Sequence, residues 1–208
     1  MNNTYLIKLL GEIKEIMAEN RDYLIQLDSI VGDGDLGLTM SDGYLAAYDA
    51  VAGGQETDAG KLLYMAGKAM SIAVPSTMGT LMASGFMQAG KVLRGKTELN
   101  DQDIIALFTA YMDGVMNRGK AEIGDKTFLD GLNPALIVLK EKIDAGDSLQ
   151  SAAIAAAEAA AKGFENTATM IAVHGRAATR GEQSRNLKDP GAAVAMFLMR
   201  AFAKSVSG

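Results

Sequence analysis

Three carboxylates stand out by type and spacing. In the stretch "LDSIVGDGDLGLTM", residues 27–40, Asp28, Asp33 and Asp35 sit among mostly apolar neighbours, with Gly32 and Gly34 interleaved and Gly37 following. No Lys or Arg occurs between Arg21 and Lys61. Carboxylates this close repel, and one pKa rises unless a cation relieves the repulsion. Two readings answer that problem: a bound metal ion, or an acidic turn screened by water. Magnesium takes oxygen ligands in octahedral geometry and commonly uses a few carboxylates together with substrate phosphates. A calcium EF-hand is excluded: counted from Asp33, the fifth position is Gly37 and the twelfth is Tyr44, where a Glu is required.

Other polar segments carry groups suited to phosphate. In "RGKAEIGDKTFLDGLNP", residues 118–134, Lys126 and Thr127 can contact an anion, while Asp125 or Thr127 can equally cap the next helix. In "HGRAATRGEQSRNLKDPGAAV", Arg176, Arg180 and Arg185 offer planar donor forks. Asp189-Pro190-Gly191 forms a rigid turn into the final helix, whose first amides can face an anion. His174 is the sole histidine and reads as a surface residue. With no cysteine and one histidine, the chain is equipped to hold a charged ligand rather than to supply a nucleophile. The segment "GKVLRGKT", residues 90–97, satisfies the letters of a P-loop, but a helical pattern precedes it where a strand is needed. It reads as the basic C-terminal turn of a helix, with Arg94 and Lys96 facing the negative end of the dipole.

The elements that must position these groups are helices. Leu6, Leu9, Leu10, Ile13, Ile16 and Met17 recur at three- and four-residue steps, and so do Leu62, Leu63, Ala66, Ala69 and Met70. Ile104 to Val115, Leu132 to Ile143 (with Pro134 placed in the first turn), Ala153 to Lys162 and Ala192 to Ala203 continue the pattern. No run of strict alternation predicts a strand. The spacing predicts an all-α chain of roughly seven to nine helices of ordinary length. Polar, glycine-containing breaks fall at 28–37, 52–58, 74–79, 95–101, 118–128, 145–148 and 174–191. In an antiparallel bundle alternate breaks collect at one end. The breaks at 28–37, 74–79, 118–128 and 174–191 are the chemically rich ones.

Composition narrows the class. With 49% hydrophobic and 22% charged residues, 208 residues suit one domain with a sizeable core. A net charge of -5 with no basic stripe argues against nucleic acid. The absence of cysteine fits a reducing compartment, and neither a signal peptide nor a run of roughly 20 apolar residues is found. The expectation is a soluble, cytoplasmic, single-domain protein spanning 1–208, without membrane contact.

"GDGDLGLTM", "RGKAEIGDKTFLD" and "KDPGAAVAMFLM" resemble, in order and across essentially the whole chain, the nucleotide-binding L subunit of dihydroxyacetone kinase. The resemblance implies an eight-helix antiparallel bundle or barrel with an ADP or ATP site in loops at one end. It implies that Asp28, Asp33 and Asp35 ligate two magnesium ions. Nucleotide contacts are implied for Leu36, Gly37, Leu38 and Thr39, for Ser76, Thr77, Met78 and Gly79, and for Gly119, Thr127 and Phe128. Arg176 and the Asp189-Pro190-Gly191 turn complete them, and Arg176 and Lys126 are the expected catalytic cations. A ketose-binding K subunit is the implied partner. In the phosphotransferase-dependent branch, a phosphohistidine-bearing M subunit recharges the bound ADP. A homodimer or hetero-oligomer is expected, and a transcriptional regulator is a further conceivable docking partner. The chain departs from the family where Leu36 replaces a usual His, Thr39 a usual Asn, and "PSTMG" a glycine-serine turn. From the residues, three roles stay open: a dihydroxyacetone-type kinase subunit, an ATP-exchanging kinase subunit for another ketose or polyol, and a nucleotide-dependent regulatory module.

Overall fold

The computed structural model describes residues 1–207, and within them the chain forms nine α-helices. They are α1 (Asn3–Glu19), α2 (Arg21–Val31), α3 (Leu36–Ala52), α4 (Ala59–Ala73), α5 (Thr77–Val92), α6 (Asp101–Gly119), α7 (Phe128–Asp144), α8 (Leu149–Asn166) and α9 (Pro190–Ser205). Short 3₁₀ turns at Thr167–Thr169 and Arg176–Ser184 lie between α8 and α9. Among the described residues the sole β feature is an isolated bridge between Asn2 and Glu98, and no helix is long and apolar enough to cross a membrane.

Eight of the helices close a ring. Going round, α1 packs on α3, α3 on α4, then α5, α6, α7, α8 and α9, which returns to α1. The short α2 lies outside the ring against α3 and α9. Each neighbour in the ring runs antiparallel to the last, so the predicted eight-helix bundle holds. The apolar stripes read from the sequence face inward: Leu6, Leu10, Ile13 and Met17 of α1 are fully buried, as are Leu62, Ala66 and Met70 of α4. The last helix, α9, is apolar nearly all round, with Ala192 to Met199 buried without a break, because α7, α8, α1 and α2 all press on it.

Caps set the helix starts. Asp58 accepts from the amides of Gly60 and Lys61, Ser76 from Gly79, Ser148 from Ser151 and Asp189 from Ala192. Asn100 with Asp103, and Thr127 with Asp130, form full capping boxes. The Thr127 box moves one expectation. It starts α7 at Phe128, so Pro134 lies in the second turn and not in the first. Pro134 has no N–H for the carbonyl of Asp130, four residues back. That carbonyl faces Gly163 of α8, where an added Cβ would stand 2.6 Å from the oxygen and 2.8 Å from the proline Cγ.

The alternation sorts the connections between ends. Residues 53–58, 93–100 and 145–148 gather at one end, and 32–35, 74–76, 120–127 and 167–189 at the other. The P-loop look-alike falls at the first end. There α5 stops at Val92, Gly95 takes φ +83°, and Lys96 pairs with Asp103 at 2.6 Å.

Candidate nucleotide and metal site

At the second end the four connections surround a cavity of about 400 Å³. Its acidic side comes from the α2–α3 turn. Asp28 lies in the last turn of α2, and the chain reverses through Gly34, whose φ of +76° suits glycine. Gly37 then lets α3 pass hard against the Arg21 carbonyl. This folding-back brings one oxygen from each of Asp28, Asp33 and Asp35 within 4.8 Å of the others. Oxygens around octahedral magnesium stand about 3 Å apart when adjacent and about 4.2 Å when opposite, given Mg–O near 2.1 Å. The three carboxylates therefore fit a shared ion, or a pair of ions, with small adjustments. Asp28 is partly buried, and desolvation raises its pKa. The amides of Leu36 and Gly34 oppose that shift, and the neighbouring Asp33 and Asp35 add to it.

One cation, Arg176, faces this cluster from the 167–189 connection. The Arg176 guanidinium donates to Asp33 Oδ2 at 2.6 Å. His174 Nε2 faces Asp125 Oδ2 at 3.0 Å, and both His174 and Arg176 line the cavity. His174 keeps a side chain 38% exposed, in line with the sequence reading of a surface residue, while it also lines the cavity. Arg180 and Arg185 do not line it; Arg185 donates instead to Glu182 and to the Thr169 carbonyl. Beneath the connection Val31, Ala172 and Ala177, with Leu187, form a small apolar cluster that docks it on the end of α2.

Lys126 also lines the cavity, but its ammonium is engaged by backbone. Its side chain is 2% exposed, and its ammonium donates to the carbonyls of Met170, Ser184 and Leu187 at 3.2, 2.6 and 2.6 Å. All three ammonium donors are engaged by backbone, so none is left for a phosphate. Burial lowers its pKa, partly offset by Asp189. Asp189 itself is pushed up to about 7 by desolvation and by nearby Asp130, against the Ala192 amide and Lys126.

Four helices begin here: α3 after Asp35, α5 after Ser76, α7 after Thr127 and α9 after Asp189. Each helix start carries roughly half a positive charge, so the antiparallel order aims four such ends at one cavity, a setting for phosphate. Ser76, Thr77, Met78, Gly119, Thr127 and Phe128 line it as expected, with Leu36, Pro190 and Gly191. Gly37, Leu38, Thr39 and Gly79 do not. Gly37 is taken up by the α2 contact, Thr39 is buried, Leu38 is 40% exposed, and Gly79 is pressed on the Val74 carbonyl. The sequence did not mark Val31, Leu81, Val115 and Leu129, which form an apolar wall. Their only signal was position within the last or first five residues of a helix that stops or starts at this side.

Comparison with known proteins agrees with this architecture. The profile described as the DAK2 domain matches residues 30–204. The chain is 31% identical over 203 residues to the ADP-binding subunit DhaL of the PEP-dependent dihydroxyacetone kinase of Escherichia coli K12, covering 98% of this chain and 97% of that one. It is 32% identical over 206 residues to L-erythrulose 1-kinase of Mycolicibacterium smegmatis, covering 97% of this chain but 35% of that longer protein. Among solved structures, dihydroxyacetone kinase from C. freundii in complex with AMP-PNP and Mg2+ superposes with a TM-score of 0.74 at 25% identity, over 99% of this chain and 34% of that one.

Proposed function

Because the chain belongs to the DAK2-domain family, we propose that it is the nucleotide-binding subunit of a dihydroxyacetone-type ketose kinase. In this reading it holds ADP or ATP with magnesium and delivers the terminal phosphoryl group to a hydroxyl of a ketose carried by a partner K subunit. A phosphohistidine-bearing M subunit then recharges the ADP in place. The observation that carries the reading is the carboxylate trio facing Arg176 where four helices begin.

Asp28, Asp33 and Asp35 would hold the magnesium, which when bound supplies charge neutralisation on phosphate oxygens. The helix starts at Ser76, Thr127 and Asp189 direct partial positive charge at the phosphates. Arg176, released from Asp33, supports the equatorial oxygens of the transferring group. The wall of Val31, Leu81, Val115 and Leu129 would supply apolar contact to the nucleotide and exclude water from the cavity. Phosphoryl transfer relies chiefly on such positioning and electrostatics. The acceptor hydroxyl, and the group that takes its proton, belong to the partner. The likeness to L-erythrulose 1-kinase favours a four-carbon ketose as a second acceptor, decided by competition between the two sugars in the reconstituted assay.

The test is to denature freshly purified protein and identify released nucleotide and magnesium by chromatography and elemental analysis. Near-stoichiometric ADP with magnesium supports a retained, recharged cofactor. An empty protein that then binds ATP with magnesium supports an exchanging subunit. Binding of neither overturns the reading. Asp33→Ala is expected to lose the nucleotide with its helical circular dichroism intact; a variant that keeps its nucleotide sinks the metal assignment.

A further inference from the structure

The ammonium of Lys126 closes a loop rather than a ligand. Its three acceptors come from the two ends of the segment between α8 and α9: Met170 at the entry, Ser184 and Leu187 at the exit. Between those ends run His174 and Arg176, which line the cavity. The same ends are joined elsewhere. The Ser184 hydroxyl accepts from the Ala172 amide and donates to the Gly181 carbonyl, and the Asn186 amide donates to Ala168. Lys126 pulls from below, out of the corner that starts α7. Its neighbours there also grip the segment, through the Val173 amide on the Asp125 carbonyl and through His174 on the Asp125 carboxylate. The backbone at Lys126 is left-handed, with φ 62°, a conformation that a lysine holds only where the surroundings impose it.

We infer that Lys126 is a positioning residue that fixes the 170–187 segment, and through it Arg176, over the cavity by tying both ends of that segment to the start of α7. It acts on the nucleotide through Arg176 and makes no phosphate contact of its own. The inference rests on the nucleotide-binding reading for its affinity readout, but not for its structural one.

Two measurements on the full chain test it. Trypsin cuts after Arg176, Arg180 and Arg185, so proteolysis reports how often the segment opens. Lys126→Met keeps the stem and takes a donor from three carbonyls, of which that of Ser184 keeps the Leu187 amide. Cleavage between 176 and 185 is expected to quicken at least tenfold, well below the thermal midpoint. The second measurement is affinity for a fluorescent ADP analogue with magnesium, in a cycle with Arg176→Gln. The double variant is expected to bind no more weakly than Arg176→Gln alone. Unchanged cleavage overturns the inference, and so do affinity losses that multiply, since those describe an independent phosphate contact. If wild-type protein binds no nucleotide, the functional proposal falls while cleavage still judges Lys126. If Lys126→Met does not fold, Ser184→Ala loosens the same segment from its other side. It is expected to speed cleavage and weaken binding in wild type but not in the Arg176→Gln background; faster cleavage with unchanged binding overturns the inference.

Discussion

Under the proposed function Arg176 passes from Asp33 to phosphate, and its removal is expected to have effects of opposite sign. In the structure its guanidinium rests on Asp33 at 2.6 Å, with side-chain exposures of 69% and 41%. An ion pair that open to water is worth about 0.2–1 kcal/mol. Asp33 must release Arg176 to join a metal ion entering the carboxylate trio, so Arg176 competes with that ion. Arg176→Gln is therefore expected to tighten Mn2+ binding to nucleotide-free protein by roughly 1.4- to 5-fold, the factor equivalent to that energy. Under the proposed function the same substitution also removes a charge-assisted hydrogen bond to phosphate, worth about 1.5–3 kcal/mol. Affinity for ADP with magnesium should then fall by roughly ten- to a hundredfold. Free Mn2+ is followed by electron paramagnetic resonance at low ionic strength, and the gain should shrink as salt is added. Mn2+ affinity that falls in the variant refutes the competition, and so does nucleotide affinity that rises.

Two further outcomes concern pH and packing. The Asp189 carboxyl, held up to about 7, stands above the roughly 3.9 of an unfolded aspartate. Between those values the folded chain binds more protons than the unfolded one, so this contribution to stability is full at low pH and fades as pH rises through 7. Asp189→Asn keeps an acceptor for the Ala192 amide and should flatten the decline in thermal midpoint from pH 5 to 8; equal slopes in both proteins contradict the assignment. At Gly131 of α7 an added Cβ would stand 2.7 Å from the Ala192 carbonyl and 2.9 Å from Ala195 Cβ of α9. Gly131→Ala is expected to cost about 1–2 kcal/mol net of its better helix propensity, or about 2–8 °C in midpoint for a chain this size. A raised midpoint contradicts it.

Much of this was legible in the sequence because helical burial writes itself as a three- and four-residue period. The stripes on α1 and α4 needed no neighbour to be recognised. The four chemically rich breaks also converge as expected, since antiparallel order alone sends alternate connections to one end. What the period could not show is a hydrogen-bond partner far along the chain. Lys126 looks like a phosphate ligand in "GDKT", and only the return of residues 170–187 over it gives its ammonium three carbonyls. The partner of His174 is hidden for the same reason, because Asp125 lies 49 residues earlier. The misplaced turn at Pro134 has another cause: a capping box four residues upstream outweighed the usual preference of proline for a first turn. Gly37, Gly79 and Thr39 sit in the right motifs but serve helix contacts, a distinction carried by packing and not by composition.

The ring also fixes where the polypeptide comes and goes. Met1 pairs with Leu99 at the end away from the cavity, and α9 runs back to that end, where Tyr5 and Ser205 meet at 3.3 Å. A tether spliced to either terminus leaves the mouth of the cavity unobstructed. A chain attached at that end would leave the loops around the cavity as they are. The chain spans 97% of the E. coli DhaL subunit and 35% of the longer L-erythrulose 1-kinase.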